Sequence, residues 1–600
     1  MKISKEHIET FVGEVFPVYL IPEDGCDSAK INETEWVTWT CEGDVFIQNV
    51  TTRDSFGTDG GVIAVMKKVG NAVIRALYKG KEYVSFITAR ERKKYDGKET
   101  LNYYRGDLHD HTSMIHLREP FTVREKDLCI DMLRKVKEDG KLDFTVISDH
   151  GDVLARKDFL RGFVDAELIE PINTVIFPGS ESEASFYERD RFGTYHKHSG
   201  EVVMFNSTAF SAAYSWEEFV NDHRNSPLPI GIFAHPQVTG SPEVGLWNNE
   251  YKRNADSGLK RFMRLVEMGN GEDRAENLIH EYSYSDALDA GFKVTVSCSS
   301  DSHGPIWGSK ACTGKTVILA PEKSKEAFLD ALNDCRAYAT ESGNVKLSYS
   351  VNGIKAPAVL PLTDTYQFSV DIGYFEMIEG TEIVKCSVVS DGGERILTFD
   401  TERKDHLEFT VKSDSARYFY IRLVDESGKK TWSMPVWCGR EFDKYKENSL
   451  MPIDESEYNL YDSKGNSLDR LKDRNLHSSV RFDKGSAEII IELNERRRIS
   501  ALGINHLKIN GGAIKAEGKC VPDYLAEFVA KYRISTSCDG SNYTEMKRGV
   551  ILVFGDEVIL DFDPRDTKYI KFEALSTVGF ESDFPKYMNA KVRIANISLY

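Results

Sequence analysis

The chain has 600 residues, 41% of them hydrophobic and 11% aromatic, enough for about four domains of roughly 150 residues with a core in each. That excludes a disordered or collagen-like chain. Against 77 basic side chains stand 95 acidic ones, a net charge of −18, and with no long Lys/Arg block to offset it a nucleic acid would be repelled.

Ten cysteines from Cys26 to Cys538 are scattered without a CxxC pair, so neither a disulfide scaffold nor a zinc ribbon is expected. The apolar stretch from Phe11 to Ile21 is broken by Glu14 and Pro17, and nothing approaches the roughly 20 apolar residues of a membrane span. The expectation is a soluble protein without a membrane partner, cytoplasmic unless a leader segment has been lost.

In chain order, residues 1–100 read as a β-sandwich. Trp36-Val37-Thr38-Trp39, Val45-Phe46-Ile47, Val62–Val65, Val73–Tyr78 and Tyr83–Ile87 are short apolar runs parted by Gly/Asp turns. Over 103–343 the pattern becomes βα. Seven apolar runs, Tyr104–Leu108, Phe144–Ser148, Thr174–Phe177, Val202–Phe205, Pro229–Ala234, Phe262–Met268 and Phe292–Cys298, alternate with helical stretches such as Leu128-Met132-Leu133-Val136 and 272–290, the latter stopped by Gly291. A βα barrel of seven or eight strands is the economical closure. Over 344–440 alternating strands return, with the aromatics of Tyr418–Leu423, Trp432 and Trp437 read as core. A polar connector then leads to an all-β segment over 455–600.

Ten of the fourteen histidines lie between His109 and His303, and most of the apolar runs are followed by a metal-ligand type of residue. These are His109-Asp110-His111, Asp149-His150, Gly179-Ser180-Glu181, His235-Pro236, Glu267 with Asn270, and Asp301-Ser302-His303. A barrel gathers its strand C-termini onto one face, making neighbours of residues almost 200 apart in sequence. His109 and His111, two apart on a strand end, face one way and can grip one ion. Asp107 reads as a brace for the neighbouring loop, His223 and His280 as ordinary helix residues, and Cys298 needs no role.

With these residues in view, residues 103–343 resemble the PHP family (polymerase and histidinol phosphatase). The likeness rests on GDLHDHT from Gly106, ISDH from Ile147, PGSE from Pro178, FAHP from Phe233 and SSDSH from Ser299. It implies a distorted (β/α)7 barrel holding three divalent ions, Zn, Mn or Fe. His109, His111, Glu181 and Asp301 would hold the first; Glu181 with His235 and His198 the second; and His116, His150 and His303 the third. His196 competes with His198, and Glu183 with Glu181. The implied chemistry is hydrolysis of a phosphate ester by a metal-bridging hydroxide, with Asp301, Glu181 and His303 at its centre and Arg118, Arg124, Arg156, Arg189, Arg191 or Lys197 as substrate contacts. A carboxylic, carbamate or amide hydrolase is the alternative, and a glycan-binding protein with an idle barrel a third.

The N-terminal sandwich resembles bacterial Ig-like repeats. The segment 455–600, through YRISTSCDGSNYTEM and KYIKFEAL, resembles the discoidin (coagulation-factor type C) jelly roll. Leu471–Ser478 stands where that family often has a Trp-bearing cation loop. The fold class expected is thus multi-domain α/β plus all-β, with a small-molecule or carbohydrate-linked ester as substrate and a glycan partner open at the C-terminal domain.

Overall fold

The computed structural model describes residues 1–21, 37–48, 60–95, 98–112, 133–134, 136, 142–151, 156–169, 173–189, 195–213, 215–236, 250–254, 258–271, 277–303, 313–442, 450–476, 478–507, 524–554 and 557–600. They fall into two units: Met1–Ala234 with Ser257–Glu272 and Thr295–Gly343, and His235–Asp256 with Asp273–Val294 and Asn344–Tyr600.

The first unit opens on two four-stranded sheets. One runs Lys2–Ile3, Val15–Ile21, Gly61–Met66, Val45–Ile47 across its width; the other His7–Phe11, Lys81–Arg90, Gly70–Tyr78, Thr38–Glu42. Alternate residues Val18 and Leu20, Val62, Ala64 and Met66, and Ala72, Ile74 and Ala76 turn into one shared core, as period-2 patterning requires. The expected sandwich is present, and it begins at Lys2, earlier than its runs suggested.

Nine strands follow: β1 Asn102–Asp110, β2 Phe144–Ile147, β3 Val175–Arg189, β4 Tyr195–Phe205, β5 Ile230–Phe233, β6 Met263–Asn270, β7 Thr295–Ser299, β8 Lys315–Ala320 and β9 Ala337–Thr340. Their order is β7-β6-β5-β4-β3-β2-β1-β8-β9. Every expected apolar run contains a strand, the last beginning only at Thr295, but the (β/α)7 barrel is overturned. The chain is dominated by strands and the sheet is mixed. The pairs β1–β2, β2–β3, β5–β6 and β6–β7 are parallel, while β3–β4, β4–β5, β1–β8 and β8–β9 are antiparallel.

Chain length between strands is the physical reason. A parallel crossover needs a dozen or more residues, and the 24 residues between Phe177 and Val202 looked sufficient for a helix. Strand extension consumes them. β3 runs on to Arg189 and β4 begins at Tyr195, leaving 190–194, so the two pair antiparallel from Gly179↔Phe205 to Arg189↔Tyr195. Among the described residues of 103–343 the helices are Arg156–Leu168, Trp216–His223, Asn277–Asp289 and Lys325–Asn333, with short helical turns at Glu250–Arg253 and Gly258–Arg261 and a helical stretch at Leu133, Arg134 and Val136; Asn277–Asp289 falls within the helix expected over 272–290. Leu108, Phe144, Val146, Phe177, Val203, Phe205, Ile232 and Leu265 form the core beneath the strand ends. Gly106 is required there, because a Cβ would strike the Phe144 carbonyl on the paired strand.

In the second unit, Val345–Val351, Thr365–Tyr374 and His406–Lys412 form one sheet, and Glu394–Asp400, Ile383–Ser390, Tyr418–Asp425 and Lys430–Trp432 another. Tyr366 and Phe368 meet Phe419 edge to face at 4.7 and 5.7 Å, and Trp432 and Trp437 are buried, so the expected aromatic core is present. The last sheet runs Tyr458–Asp462, Ala487–Asn505, Val558–Thr577, Val529–Ser537, Thr544–Val550. Its longest strands keep partnership by register shifts at Glu492/Arg497 and Ile499/Ala501, bulges that bend a sheet around its core. No helix among the described residues is long and apolar enough to cross a membrane.

Candidate metal centre

β1 delivers the first two ligand-type side chains. His109 and His111 turn to one face as spacing of two dictates; their Nε2 atoms are 3.2 Å apart and both rings are fully buried. The segment after β7 lies alongside. The Asp301 amide donates to the His109 carbonyl at 2.8 Å, and the His111 amide to the Ser302 carbonyl at 3.0 Å. Asp301 adopts a left-handed backbone, φ +48°, which is costly for a non-glycine residue and typical of functional positions. Its Oδ1 lies 3.0 Å from His111 Nε2 and 3.5 Å from His109 Nε2. On the other flank the Glu181 amide donates to Ser148 O at 3.0 Å. That contact sets Glu181 Oε1 3.3 Å from His109 Nε2 and Oε2 3.4 Å from His111 Nε2.

This spacing is that of ligands around one cation. Donors about 2.1 Å from a tetrahedral ion stand about 3.4 Å from each other, and the pairs here span 3.0 to 3.5 Å. Imidazole and carboxylate without thiolate suit Zn²⁺, Mn²⁺ or Fe²⁺. His111 Nδ1 is buried without a hydrogen-bond partner, a further sign of a site built for an ion. A second group, His111, His150 and His303, brings its ligand atoms within 4.8 Å of one another; the His303 and His150 rings stack on His111 at 4.2 and 4.7 Å. This group opens to solvent, with the His303 side chain 40% exposed.

Electrostatics follow the packing. Burial by itself would lower the His109 pKa, but Glu181, Glu267 and Asp301 outweigh it and hold the ring well above the usual imidazole range. Burial would raise the Asp301 carboxyl, yet His109 and His111 pull it well below the usual carboxylate range. Burial, reinforced by His111, lowers His303 to about 4. The pocket is thus a field of negative charge around imidazoles, which a cation neutralises.

Braces lie behind the ligands. Asp107 does what its sequence position suggested: its carboxylate accepts the Ser300 amide at 3.1 and 3.2 Å and the His109 amide at 3.3 Å. Sequence reading passed over Asp110. Between two histidines on a strand it must face the opposite side, and there its oxygens accept Ser300 Oγ at 2.6 Å and Thr145 Oγ1 at 2.9 Å. The His-Asp-His alternation was the available signal. Asp149 accepts both the amide and the hydroxyl of Thr112, at 2.7 and 2.6 Å, tying the His111 turn to the His150 turn.

Of the other nominated residues, His116, Arg118, Arg124 and Arg191 lie outside the described residues. So do the side chains of His196, His198, Glu183, Arg156, Arg189 and Lys197; His198 stands opposite Phe186 in the β3–β4 ladder and His196 opposite Glu188. His235 follows β5 with φ +20°, buried, at the start of the second unit. His223 and His280, set aside from the sequence, are both buried.

His223 Nδ1 lies 2.8 Å from Ser207 Oγ, and burial pushes its pKa down to about 3. A histidine held neutral in the fold but free to protonate when unfolded contributes stability above the unfolded pKa of about 6.5, and loses it as pH falls toward 3. Between pH 7 and pH 5 the loss should be about 2 kcal/mol. Urea midpoints at the two pH values should therefore converge in His223→Gln relative to the unmodified protein, and an unchanged pH slope would contradict the assignment.

No family model matches the chain, so neither the PHP nor the Ig-like resemblance gains support, and no curated protein matches it. Solved structures do. CpGH89CBM32-5 from Clostridium perfringens, in complex with GalNAc-β-1,3-galactose, is 14% identical over 25% of this chain and 99% of its own, with a TM-score of 0.19. The family 32 CBM from C. perfringens NanJ, in complex with galactose, is 17% identical over 25% and 96%, TM-score 0.19. A Ruminococcus gnavus GH29 fucosidase in complex with fucose is 16% identical over 24% of this chain and 25% of its own, TM-score 0.18. These likenesses reach a quarter of the chain and, at such scores, decide neither its family nor its ligand.

Proposed function

We propose that the chain is a divalent-metal-dependent hydrolase working at His109, His111, Glu181 and Asp301. The observation that carries this reading is the approach of the buried Glu181 and Asp301 carboxylates to the paired His109 and His111 Nε2 atoms at ligand-to-ligand distances of 3.0 to 3.5 Å. A divalent ion bound there supplies a Lewis acid for a substrate oxygen and makes water acidic enough to attack near neutral pH. The protein's own part is positional. Glu181, within β3, and Asp301, just after β7, supply negative charge, Asp107 and Asp110 lock the Ser300 segment that carries Asp301, and His303 stands at the exposed rim. His303, with Nδ1 3.1 Å from the Asp301 carbonyl, belongs with His111 and His150 to the group that would hold a second ion.

The structural likenesses accord with glycan binding, and none of them accords with phosphoester hydrolysis. A carbohydrate partner at the C-terminal sandwich is therefore the second reading, compatible with an ester borne on a glycan. One experiment orders these readings. The purified full chain is loaded in turn with Zn²⁺, Mn²⁺ and Fe²⁺, analysed for bound metal, offered aryl phosphate mono- and diesters and aryl acetate and carbamate esters, and titrated with galactose and GalNAc-β-1,3-galactose. At least two ions per chain, one for each ligand group, and metal-dependent turnover of one ester class are expected. Near-zero metal content with saturable sugar binding would reverse the ranking in favour of a glycan-binding protein.

A further inference from the structure

Glu267 sits on β6 with a side chain wholly removed from solvent, and its oxygens lie 3.1 and 3.4 Å from His109 Nδ1. Asn270, three residues on, donates Nδ2 to Glu267 Oε2 at 3.0 Å. The ladder to β7, Glu267↔Ser297 and Asn270↔Ser299, fixes both residues on the scaffold rather than on a loop. A neutral imidazole carries one proton on either nitrogen, and its free tautomers differ little in energy. A carboxylate beside Nδ1 decides between them: Nδ1–H donates to Glu267, and when an ion takes the place of the proton on Nε2, that nitrogen's lone pair faces the side of His111, Glu181 and Asp301.

We propose that Glu267 is the positioning residue of the metal centre, holding His109 in the one tautomer and ring orientation that can ligate an ion. The inference rests on the metal reading above and deepens it. Glu267 reaches the centre through His109, and its acceptor role, not ligation, is what matters. A carboxylate behind a ligating histidine typically accounts for 10- to 100-fold in metal affinity.

Cobalt(II) is the probe, because its visible absorption reports ligand geometry and its affinity can be read by chelator competition without any substrate. Glu267→Ala should weaken Co²⁺ binding by about 10- to 100-fold and alter the visible band. Glu267→Gln keeps an acceptor oxygen for Nδ1–H and should recover to within about fivefold of the unmodified protein. Asn270→Ala, which frees the carboxylate without removing it, should weaken binding a few-fold; if Glu267→Ala does not fold, Glu267→Gln and Asn270→Ala carry the test. Glu267→Ala binding as tightly as the unmodified protein, or Glu267→Gln losing as much as Glu267→Ala with one ion fewer per chain, would overturn the proposal, the latter making Glu267 a ligand. His109→Ala, measured in parallel, separates the two levels. An unmodified protein that binds no Co²⁺ sinks the metal reading itself, whereas a loss in His109→Ala beside full affinity in Glu267→Ala sinks the positioning role alone.

Discussion

Alanine at His109, Glu181 or Asp301 is expected to lower hydrolysis by about 10³-fold or more and to remove metal from the chain. His109 lies within 3.5 Å of both Glu181 and Asp301, so each loss opens the coordination sphere built around it. Groups that act as a unit are also non-additive. The double variant His109→Ala/Asp301→Ala should therefore be scarcely worse than either single one. His223→Ala, assayed at pH 7.5 where the neutral ring is not under acid stress, should remain within a few-fold of the unmodified enzyme. Bound metal by elemental analysis and initial rates on the ester found active decide the matter. Retention of metal and rate in all three single variants would move the site elsewhere.

The second large effect is on stability and lies in the second unit. Arg422 is wholly buried in the Tyr418–Asp425 strand. Its Nε meets Glu281 at 2.9 Å and its Nη1 meets Asp583 at 2.7 Å. Nη2 donates to the Glu581 and Ser582 carbonyls at 3.4 and 3.3 Å. Burial would lower the pKa of this guanidinium, but Glu281 and Asp583 reverse that and raise it. Replacing a buried pair outright can be neutral, but removing one partner strands the other charges and costs about 3–5 kcal/mol. Lys385 at 2.5 Å and Arg395 at 3.5 Å remain to face Asp583, which places Arg422→Met near the lower figure. The expected drop in Tm is on the order of 10 °C.

Restoring the charge balance is the check. Arg422→Met/Glu281→Gln removes one charge of each sign and leaves Asp583 to Lys385 and Arg395, so it should regain most of the loss in differential scanning calorimetry, whereas a double variant no better than the single one would show that Arg422 matters by packing alone. The same network predicts acid sensitivity. Burial tends to raise Asp583, yet Arg422 and Arg395 hold its carboxyl down at about 2. Its contribution is therefore present above the unfolded carboxyl pKa of about 4 and is lost as pH falls toward 2.

The ligand-bearing strand ends were legible in the amino-acid order because they obey local rules. Short apolar runs such as Phe144–Ser148 and Phe292–Cys298 read as buried strands, and strands occupy Phe144–Ile147 and Thr295–Ser299; spacing of two puts His109 and His111 on one face whatever the fold around them. The N-terminal sandwich and the aromatic core of the middle sheets were readable for the same reason, since alternation is a property of the chain itself.

Strand direction was not of that kind. Whether the residues after Phe177 become a crossover helix or an extended hairpin depends on pairing partners far along the chain, and pairing drew β3 and β4 out to Arg189 and Tyr195, replacing a barrel unit with an antiparallel one. Asp110 gained its bracing role only when Ser300, 190 positions away, and Thr145, 35 positions away, were brought to it. Glu267 could be nominated from sequence as a ligand type, but only its distance to Nδ1 rather than Nε2 of His109 separates a residue that orients a ligand from one that is a ligand. Residue type and period are written locally, whereas the partner of each hydrogen-bonding atom is settled by tertiary packing, which decides it one contact at a time.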